Sequence, residues 1–472
     1  MPLQSLHFLV FLVSVFALNR LLLARPDARK NMLLAASYYF YSCWDWRFLG
    51  LVLLMTVVNF SAGRAIAAST TRRGKRLWLI LALVLCLGTL AYFKYESELV
   101  ASTAQLLEAA GVEADLATLR ILLPIGISFY TFQALSYTLD IYRGHSKPTT
   151  SFRDFALFVA FFPTVLSGPI TRATQLLPQL ERPLPDSVER AEEGLVLMMR
   201  GFVKKIAFAD VLAEQLVNPA FAAPENYSAL FLLVALYAYS FQIYMDLSGY
   251  TDIVRGAAKL LGFELPENFN RPYLATSVSD YWQRWHISMS SFFRDYVYFS
   301  MGGSKYGNVY INLYVTFVAI GLWHRSSLNM VVYGLIHGTF VCIERWRRRR
   351  RTTRGQPTAP QGRLACITSV FVTFQIVAFA RILFRSADLS SATDYLTAML
   401  QPVTDAAPFS ILGVAVLAAA IVFHYVPGSF FTAVAARYSR MNVVAQGAIL
   451  VAVAFALLSI CFDSGQFVYF QY

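Results

Sequence analysis

Apolar runs of membrane-spanning length recur along the chain and are separated by short polar segments. A helix needs about 20 apolar residues to cross roughly 30 Å of hydrocarbon. The pattern therefore predicts an all-α, polytopic membrane helical bundle with about 11–12 spans, in a single domain covering residues 1–472. The predicted spans are residues 3–23, 31–43, 47–68, 77–94, 119–141, 206–222, 228–247, 308–323, 328–344, 364–383, 408–426 and 442–461.

Three segments depart from this pattern. Residues 155–170 are apolar but are interrupted by two prolines and a glycine, which predicts a re-entrant segment enclosed by protein. Residues 247–306 are rich in charges, aromatic residues and prolines, which predicts interfacial amphipathic helices and loops on the cytoplasmic side. Residues 347–361 are rich in Arg, Thr, Gly and Pro, which predicts a loop.

The charges between the spans predict the orientation of the chain. Basic residues follow the first, third and fifth spans, whereas acidic residues follow the fourth. Cytoplasmic loops are enriched in Lys and Arg, so both termini are predicted on the periplasmic side. The basic residues of these loops, with those placed inside by continuing the alternation, are Arg25, Arg29, Lys30, Arg72, Arg73, Lys75, Arg76, Arg143, Lys147, Arg345–Arg351, Arg437 and Arg440.

Composition narrows the functional classes. Of 472 residues, 57% are apolar and only 14% are charged, as in an integral membrane protein. The net charge of +12 lies in short segments between the spans, so nucleic acid is excluded as a partner and membrane lipid is the expected surrounding. The five cysteines stand singly without metal-ligand spacing, and no metal site is predicted.

Residues 281–338 gather three of the six histidines. His324 ends one predicted span and His337 lies inside the next, and Ser326 and Ser327 predict a break between two converging helices. Ionisable side chains in a membrane interior are costly and usually functional. A neutral imidazole is a competent general base for a hydroxyl acceptor. The alternative is an interior histidine that is merely hydrogen-bonded to a carbonyl.

The polar segment before His324 contains further candidates. His286 lies between apolar and charged faces of an amphipathic stretch, where it is either functional or an interfacial anchor. Asn268 and Arg271 stand beside a proline, and the arginine suits a phosphate or a lipid headgroup. Asp246 and Asp252 are six residues apart, about 240° around a helix, so charge balance is favoured over a paired acid and base.

Motifs of other enzyme classes are missing from the sequence. It contains no GxSxG elbow, Walker loop, HExxH or GxGxxG after a strand. Soluble hydrolase, nucleotide-hydrolysing and dinucleotide-binding functions are therefore excluded.

Several long motifs occur in an order that resembles a known family. They are LPIGISFYTFQALSYTLDIYRG, FFPTVLSGPI, YMDLSGYTDI, ENFNRPYLATSVSDYWQRWHIS, FRDYVYFSMGG, GLWH…GLIHG and the final QFVYFQY. From about Asn31 to the C-terminus the chain resembles the bacterial branch of the membrane-bound O-acyltransferase (MBOAT) family, whose members acetylate alginate, cellulose or peptidoglycan.

This resemblance implies a tunnel through the helical bundle and roles for the histidines. His324 matches the proposed catalytic base, His286 matches a second family position occupied by Asn or His, and His337 matches the HG motif of the bacterial branch. Arg325 stands where the family usually has glycine. A cation there would either disfavour a positive charge on His324 or bind a phosphate of the donor.

The resemblance also implies the substrates, the partner and the location. The donor is cytoplasmic acetyl-CoA, and the predicted donor-binding residues are Arg271, Arg284, Arg294, Asn268 and Arg325. The acetyl group is destined for an exported polysaccharide through a periplasmic partner, a serine-esterase-like acetyltransferase, at the bacterial inner membrane. Two alternatives stay open: D-alanyl transfer to a teichoic acid, and non-enzymatic transport of a lipid-linked sugar that uses the histidines for proton coupling.

Overall fold

The computed structural model describes residues 1, 3, 5–109, 123–182, 188–402 and 407–460. Every regular element in these residues is helical, which confirms the all-α prediction. The helices up to residue 202 are α1 Leu6–Leu21, α2 Pro26–Asp45, α3 Leu49–Ala68, α4 Arg72–Ala109, α5 Ile127–Tyr142, α6 Phe152–Ala160, α7 Phe162–Val165, α8 Ala173–Glu181 and α9 Val188–Phe202. The later ones are α10 Asn218–Ala222, α11 Ala229–Leu260, α12 Val278–Arg284, α13 Ile287–Phe293, α14 Val309–His324, α15 Leu328–Thr353, α16 Arg363–Arg385, α17 Leu389–Ala398, α18 Ile411–Tyr425, α19 Gly428–Ser439 and α20 Val443–Ile460.

The described residues group into two compact units. The first contains Met1–Leu195 with Val254–Pro266, and the second contains Val196–Ile253 with Glu267–Tyr472. All the predicted site residues belong to the second unit. The count of one domain stays a prediction.

Long apolar helices make the chain a polytopic membrane protein. By length and composition, five helical stretches of the described residues are able to cross a membrane, and a sixth is the pair α18 and α19 if its 89° bend belongs to one span. The five are Pro26–Ala68, Arg72–Tyr95, Ala229–Leu260, Arg363–Arg385 and Val443–Ile460. Fewer helices than the predicted spans meet this criterion, in part because α1 and α14 have only 16 residues each and because the predicted spans 31–43 and 47–68 form the single stretch Pro26–Ala68.

Other predicted segments differ in their ends or their form. The predicted span 119–141 begins outside the described residues, and its described part is α5, which starts after Gly126 in the left-handed conformation (φ 80°). Residues 155–170 form two short buried helices, α6 and α7, separated at Phe161, so the predicted break is confirmed. The prediction of a loop over residues 347–361 was wrong for residues 347–353, which are helical. Helix α15 continues to Thr353, because arginine is a good helix former and no Gly or Pro lies between Gly338 and Gly355.

Helices α14 and α15 form a tight hairpin that carries two of the histidines. Residues 325–327 join them through a bend in which Arg325 and Ser327 have extended backbone angles, which confirms the predicted break after His324. A Cβ atom on Gly334 would lie 2.5 Å from the carbonyl oxygen of Phe317, and one on Gly321 would collide with the carbonyl oxygen of Met330. The two backbones are therefore in direct contact, as small residues allow in membrane helices.

Helix α12 is attached to α15 through its N-terminus. The side chain of Ser277 accepts a hydrogen bond from the Asp280 backbone N–H, and the Glu344 carboxylate accepts from the N–H groups of Val278 and Ser279 at 2.6 and 2.9 Å. Unpaired N–H groups at a helix start attract a carboxylate. Glu344 thus fixes α12 against α15, about two helical turns beyond His337.

Candidate active site

The three predicted histidines lie in the second unit on three different elements. His324 is the last residue of α14, His337 lies inside α15, and His286 immediately precedes α13. All three side chains are buried, with 7%, 0% and 2% of their surface exposed, respectively. Buried imidazoles in a membrane protein have to be neutral or paired, which suits proton transfer and hydrogen bonding.

His324 lies at the turn of the α14–α15 hairpin. Its ring packs edge-on against Phe384 with centroids 5.0 Å apart, and the neighbouring Trp323 ring is 4.7 Å away. The last turn of a helix carries a partial negative charge, worth about 0.3–2 kcal/mol to a nearby cation. That field would stabilise a positive charge on the His324 ring.

Arg325, the first residue after α14, is engaged by the hairpin turn and by the end of α16. Its guanidinium donates to the carbonyl oxygen of Ser386 at 2.6 Å and to the hydroxyl of Ser327 at 3.3 Å. Asn329 donates to the same Ser386 carbonyl at 3.2 Å. The arginine therefore ties the turn to the end of α16, and its predicted role in donor binding stays a prediction.

His286 adopts a strained backbone conformation. Its φ and ψ are 43° and 55°, in the left-handed region that non-glycine residues seldom occupy. Asn268 holds the following residues, since its backbone carbonyl accepts from the N–H of Ile287 at 2.9 Å and its side-chain carbonyl accepts from the N–H of Ser288 at 3.0 Å. Asn268 thus positions His286, and such strain usually marks functional residues.

His337 has one ring nitrogen engaged by the protein. The indole N–H of Trp282 donates to Nδ1 of His337 at 3.2 Å. The His337 ring also contacts the rings of Tyr281, Phe317 and Tyr333 at centroid distances of 6.4, 6.5 and 4.5 Å. This histidine lies in an aromatic enclosure made by α12, α14 and α15.

Aromatic rings connect the three histidines. Trp323 contacts both His286, at 6.0 Å, and His324, at 4.7 Å. Phe384 contacts His324 at 5.0 Å and Tyr333 at 5.6 Å, and Tyr333 continues to His337. The structure therefore brings the predicted catalytic residues to one aromatic-lined region of the second unit.

The predicted donor-binding arginines differ in how far their charge is compensated. Arg284 pairs with Asp280 at 2.7 Å, and Arg294 pairs with Asp295 at 2.8 Å. Arg271 adopts the left-handed conformation (φ 43°) at the start of a short turn of helix. The roles of these arginines in donor binding stay predictions.

The interpretation of Asp246 and Asp252 as charge balance is confirmed. Asp252 accepts from Arg200 at 2.7 Å and from Lys204 at 2.7 Å. Asp246 lies 2.7 Å from the ammonium of Lys205. Both carboxylates are buried, as are Lys204 and Lys205, whereas Arg200 is half-buried.

Arg381 is a buried cation that the sequence analysis missed. Its side chain, 2% exposed, donates to the hydroxyls of Tyr273 and Tyr281 and to the Ser240 carbonyl, and it lies 4.5 Å from the Trp285 ring. No carboxylate of the described chain pairs with it. A single arginine inside the apolar run of α16 is the sequence feature from which a buried, functional cation could have been predicted.

Two further features also escaped the sequence analysis. His424, 2% exposed, packs against the rings of Tyr244 and Tyr273 at 5.0 and 5.2 Å.

A surface cavity of about 330 Å³ lies at the basic end of α15. It is lined by Tyr310, Trp346, Arg349, Arg350, Thr353 and Arg354. Arginines around an aromatic ring suit a phosphate-bearing ligand.

Comparison with known proteins identifies related sequences. The model of MBOAT, the membrane-bound O-acyltransferase family, matches residues 38–384, a range that includes all three candidate histidines. The probable alginate O-acetylase AlgI of Pseudomonas aeruginosa is 38% identical over 402 residues, covering 84% of this chain and 75% of the relative.

More distant relatives act on other polymers. The peptidoglycan O-acetyltransferase of Helicobacter pylori is 30% identical over 418 residues, covering 83% of this chain and 76% of the relative. The teichoic acid D-alanyltransferase of Bacillus subtilis is 27% identical over 275 residues, covering 55% of this chain and 68% of the relative.

Proposed function

The chain belongs to the membrane-bound O-acyltransferase family, and from that premise we propose that it moves acetyl groups from cytoplasmic acetyl-CoA to an exported polysaccharide. It is an O-acyltransferase, and its relatives named for alginate and peptidoglycan acetylation match most of its length. The observation that carries the proposal is the burial of His324 at the end of α14, within the aromatic region it shares with His286 and His337.

His324 acts as the general base in this proposal. It takes the proton from the acceptor hydroxyl while the hydroxyl oxygen attacks the thioester carbon, so that a carbon–oxygen bond forms. The carbon–sulfur bond then breaks, and the departing thiolate of CoA receives the proton back from the imidazolium. The C-terminal end of α14 stabilises that imidazolium between the two steps.

The surroundings of His324 favour transfer over hydrolysis. Trp323 and Phe384 cover the ring with apolar surface, and a site that excludes bulk water protects a thioester from wasteful attack. The basic segments predicted on the cytoplasmic side would attract the phosphates of acetyl-CoA. The acetyl group then passes to a periplasmic acetyltransferase that modifies the polymer, in an inner membrane with both termini outside.

A D-alanyl donor is the second candidate. The similarity to the teichoic acid D-alanyltransferase of Bacillus subtilis supports it, since the same fold family handles that cargo. That relative covers 55% of this chain, whereas the alginate acetylase covers 84% at higher identity. Acetyl transfer is therefore preferred. Mass spectrometry of the exopolysaccharide and cell-wall polymers with and without this protein distinguishes acetyl from D-alanyl groups.

Replacement of His324 tests the mechanism. We expect His324→Ala to lower acetyl transfer from labelled acetyl-CoA in inverted membrane vesicles at least about 100-fold, because general bases contribute that much. The variant should insert and fold normally, as judged by its detergent-extracted thermal unfolding. His145→Ala, a change at an exposed histidine, is the matched control and should be fully active. Normal transfer by His324→Ala would remove His324 as the base.

A further inference from the structure

The hydrogen bond to His337 determines which ring nitrogen carries the proton. The indole N–H of Trp282 can only donate, so Nδ1 of His337, 3.2 Å away, has to accept. An imidazolium has no accepting nitrogen, and a neutral ring that accepts at Nδ1 carries its proton on Nε2. The lone pair of His337 is therefore occupied by Trp282, and its other nitrogen is a donor.

That donor has no partner in the described part of the chain. The His337 side chain is 0% exposed, and Nε2 makes no hydrogen bond to any described residue. An unsatisfied buried donor costs about 1–3 kcal/mol, and buried polar groups are nearly always paired. The hydroxyl of Tyr281 is engaged by Arg381, and none of the rings around His337 accepts a hydrogen bond from Nε2 in the described part of the chain. The arrangement points to a hydrogen-bond acceptor supplied by a bound ligand.

The oxygen that accepts from Nε2 of His337 does not belong to the thioester group on which His324 is proposed to act. His337 is nine residues beyond the first residue of α15, which is about 13.5 Å along the helix axis from the hairpin turn. The ring contacts between His324 and His337 pass through Phe384 and Tyr333. A ligand reaching both histidines has to be an extended chain with its reactive end at His324 and an acceptor oxygen further along.

A pantetheine thioester has this form. Its arm contains two amide carbonyls, and the farther one is eight bonds from the sulfur, about 9 Å at the reach of an extended backbone. The thioester carbon beyond the sulfur and a hydrogen bond of about 3 Å at His337 extend this reach to roughly the distance between His337 and the hairpin turn. We propose that His337 binds an amide carbonyl oxygen of the donor's pantetheine arm through Nε2–H, as a neutral hydrogen-bond donor and not as a base. This inference rests on the proposed function, because it takes acetyl-CoA as the donor.

Arg381 reinforces the neutral state of His337. Its guanidinium is held by the hydroxyls of Tyr273 and Tyr281, and the Tyr281 ring stacks on the His337 ring with centroids 6.4 Å apart. A second positive charge on that ring would be repelled by the first. The site thus keeps His337 as a donor for an uncharged oxygen.

Two substitutions separate the donor role from packing. The amide of His337→Gln reaches the Nε2 position and keeps a donor there, whereas His337→Asn reaches only the Nδ1 position. Initial rates of transfer in inverted vesicles are measured against acetyl-CoA concentration. We expect the Asn variant to raise KM for acetyl-CoA about 5- to 10-fold with kcat within about twofold, and the Gln variant to stay near wild type. A fall in kcat with unchanged KM, or equal defects in both variants, would overturn the proposal.

The tautomer is tested without any activity measurement. In protein labelled with ¹⁵N-histidine, solid-state NMR distinguishes Nε2–H from Nδ1–H rings, and the His337→Gln spectrum identifies the His337 signal. The Nε2–H form is expected in the wild type, and Trp282→Phe, which keeps the ring but removes the donor, should yield both forms. Trp346→Phe, at the exposed end of the same helix, should leave the signal unchanged. An Nδ1–H wild-type ring would refute the assignment.

The two sets of results separate the inference from the proposed function. If the wild type transfers nothing from acetyl-CoA but the Nε2–H tautomer is found, the proposed donor fails and with it the pantetheine ligand. If the wild type transfers acetyl groups and His337→Asn has a normal KM, only the role of His337 fails.

Discussion

His286 combines complete burial with a backbone conformation that histidine rarely adopts. Left-handed non-glycine residues cost about 1–3 kcal/mol and persist only where neighbouring contacts enforce them. Here Asn268 supplies those contacts through Ile287 and Ser288. Asn268 thus has a structural task that keeps the His286 ring against Trp323, and its predicted role in donor binding stays a prediction.

Acid should destabilise the protein through His286. The residue precedes α13, outside the helices long enough to span a membrane, and burial lowers the pKa of His286 to about 3. The unfolded chain has a histidine pKa near 6.5, so between these values only the unfolded state binds a proton and stability falls as the pH falls. From about pH 7 to about pH 4.5 this single residue costs about 2–3 kcal/mol.

The measurement compares apparent Tm values in detergent across this pH range. His286→Gln cannot bind the proton, so its Tm should fall less steeply with acid than the wild-type Tm. His145→Ala, at an exposed position, should follow the wild type. Parallel curves for the wild type and His286→Gln would contradict the buried neutral state of His286.

At the scale of the elements, α15 links the reactive region to the basic surface. It carries His337 within the aromatic enclosure, Glu344 on the N-terminus of α12, and the arginines that line the surface cavity. Arg349 is twelve residues beyond His337, about 18 Å along a straight helix. If an amide of the pantetheine arm lies at His337, the rest of the arm covers only part of that distance, and the nucleotide phosphates of acetyl-CoA are the groups that would reach these arginines.

The basic end of α15 should therefore bind the donor's phosphates. The double variant Arg349→Gln with Arg350→Gln is expected to raise KM for acetyl-CoA about fivefold without changing kcat, because it removes charge far from the thioester. Added salt should reduce the difference from wild type. Arg47→Gln, at an exposed arginine outside the predicted cytoplasmic segments, is the control and should leave KM unchanged. An unchanged KM in the double variant would remove this cavity from donor binding.

The hairpin of α14 and α15 depends on glycine at the crossing. An alanine Cβ at position 334 would lie 2.5 Å from the Phe317 carbonyl oxygen, so the two helices would have to separate. Gly334→Ala should therefore lower the unfolding free energy by about 2 kcal/mol and reduce transfer, since both His324 and His337 lie on these helices. The check is an unfolding curve in detergent together with the transfer rate.

A second glycine supplies the matched control for this prediction. A Cβ atom added to Gly447 in α20 would meet no described atom within 4 Å, so Gly447→Ala adds a methyl group without a collision. Alanine is the better helix former by about 1 kcal/mol, and this variant should be neutral or slightly more stable. Equal destabilisation by both substitutions would mean that the hairpin contact is not the cause.

For the whole molecule, the apolar periodicity predicted the helical class because each span is specified by its own composition. The break after His324 was predictable from Ser326 and Ser327 for the same local reason. The setting of Arg381 was not, since it meets Tyr281 and Ser240 across 100 and 141 positions of the chain. Contacts of that kind depend on helix packing, which single-sequence patterns do not encode.

The positions of the basic residues were evident from the sequence, but the carboxylates with which they pair were not predicted. Arg284 and Arg294 are exposed enough to attract a donor, yet each pairs with a carboxylate close by in the sequence, Asp280 and Asp295. The prediction that these arginines bind the donor did not take these local partners into account. The basic run after Glu344 was predicted to anchor the chain on the cytoplasmic side. Its helical continuation suits it to a second task, because the arginines there enclose a cavity.

The orientation of the whole chain is the remaining prediction, and natural and introduced cysteines test it. Cys366 is exposed in the first turn of α16 and should be cytoplasmic, whereas Arg47, with its side chain 69% exposed between α2 and α3, should face the periplasm. In a variant whose other cysteines are serine, an impermeant maleimide should label Cys366 only in inverted vesicles. Arg47→Cys, in a background without Cys366, should be labelled in intact spheroplasts.

The reverse labelling would place the basic segments outside the cell. The arginines of α15 would then face a compartment without acetyl-CoA, and His337 would be approached by the acceptor instead of the donor. Labelling from both sides at one position would contradict a single fixed orientation. Only the predicted pattern agrees with the proposed function, in which the thioester would enter along α15 and meet a hydroxyl at His324, where α14 ends.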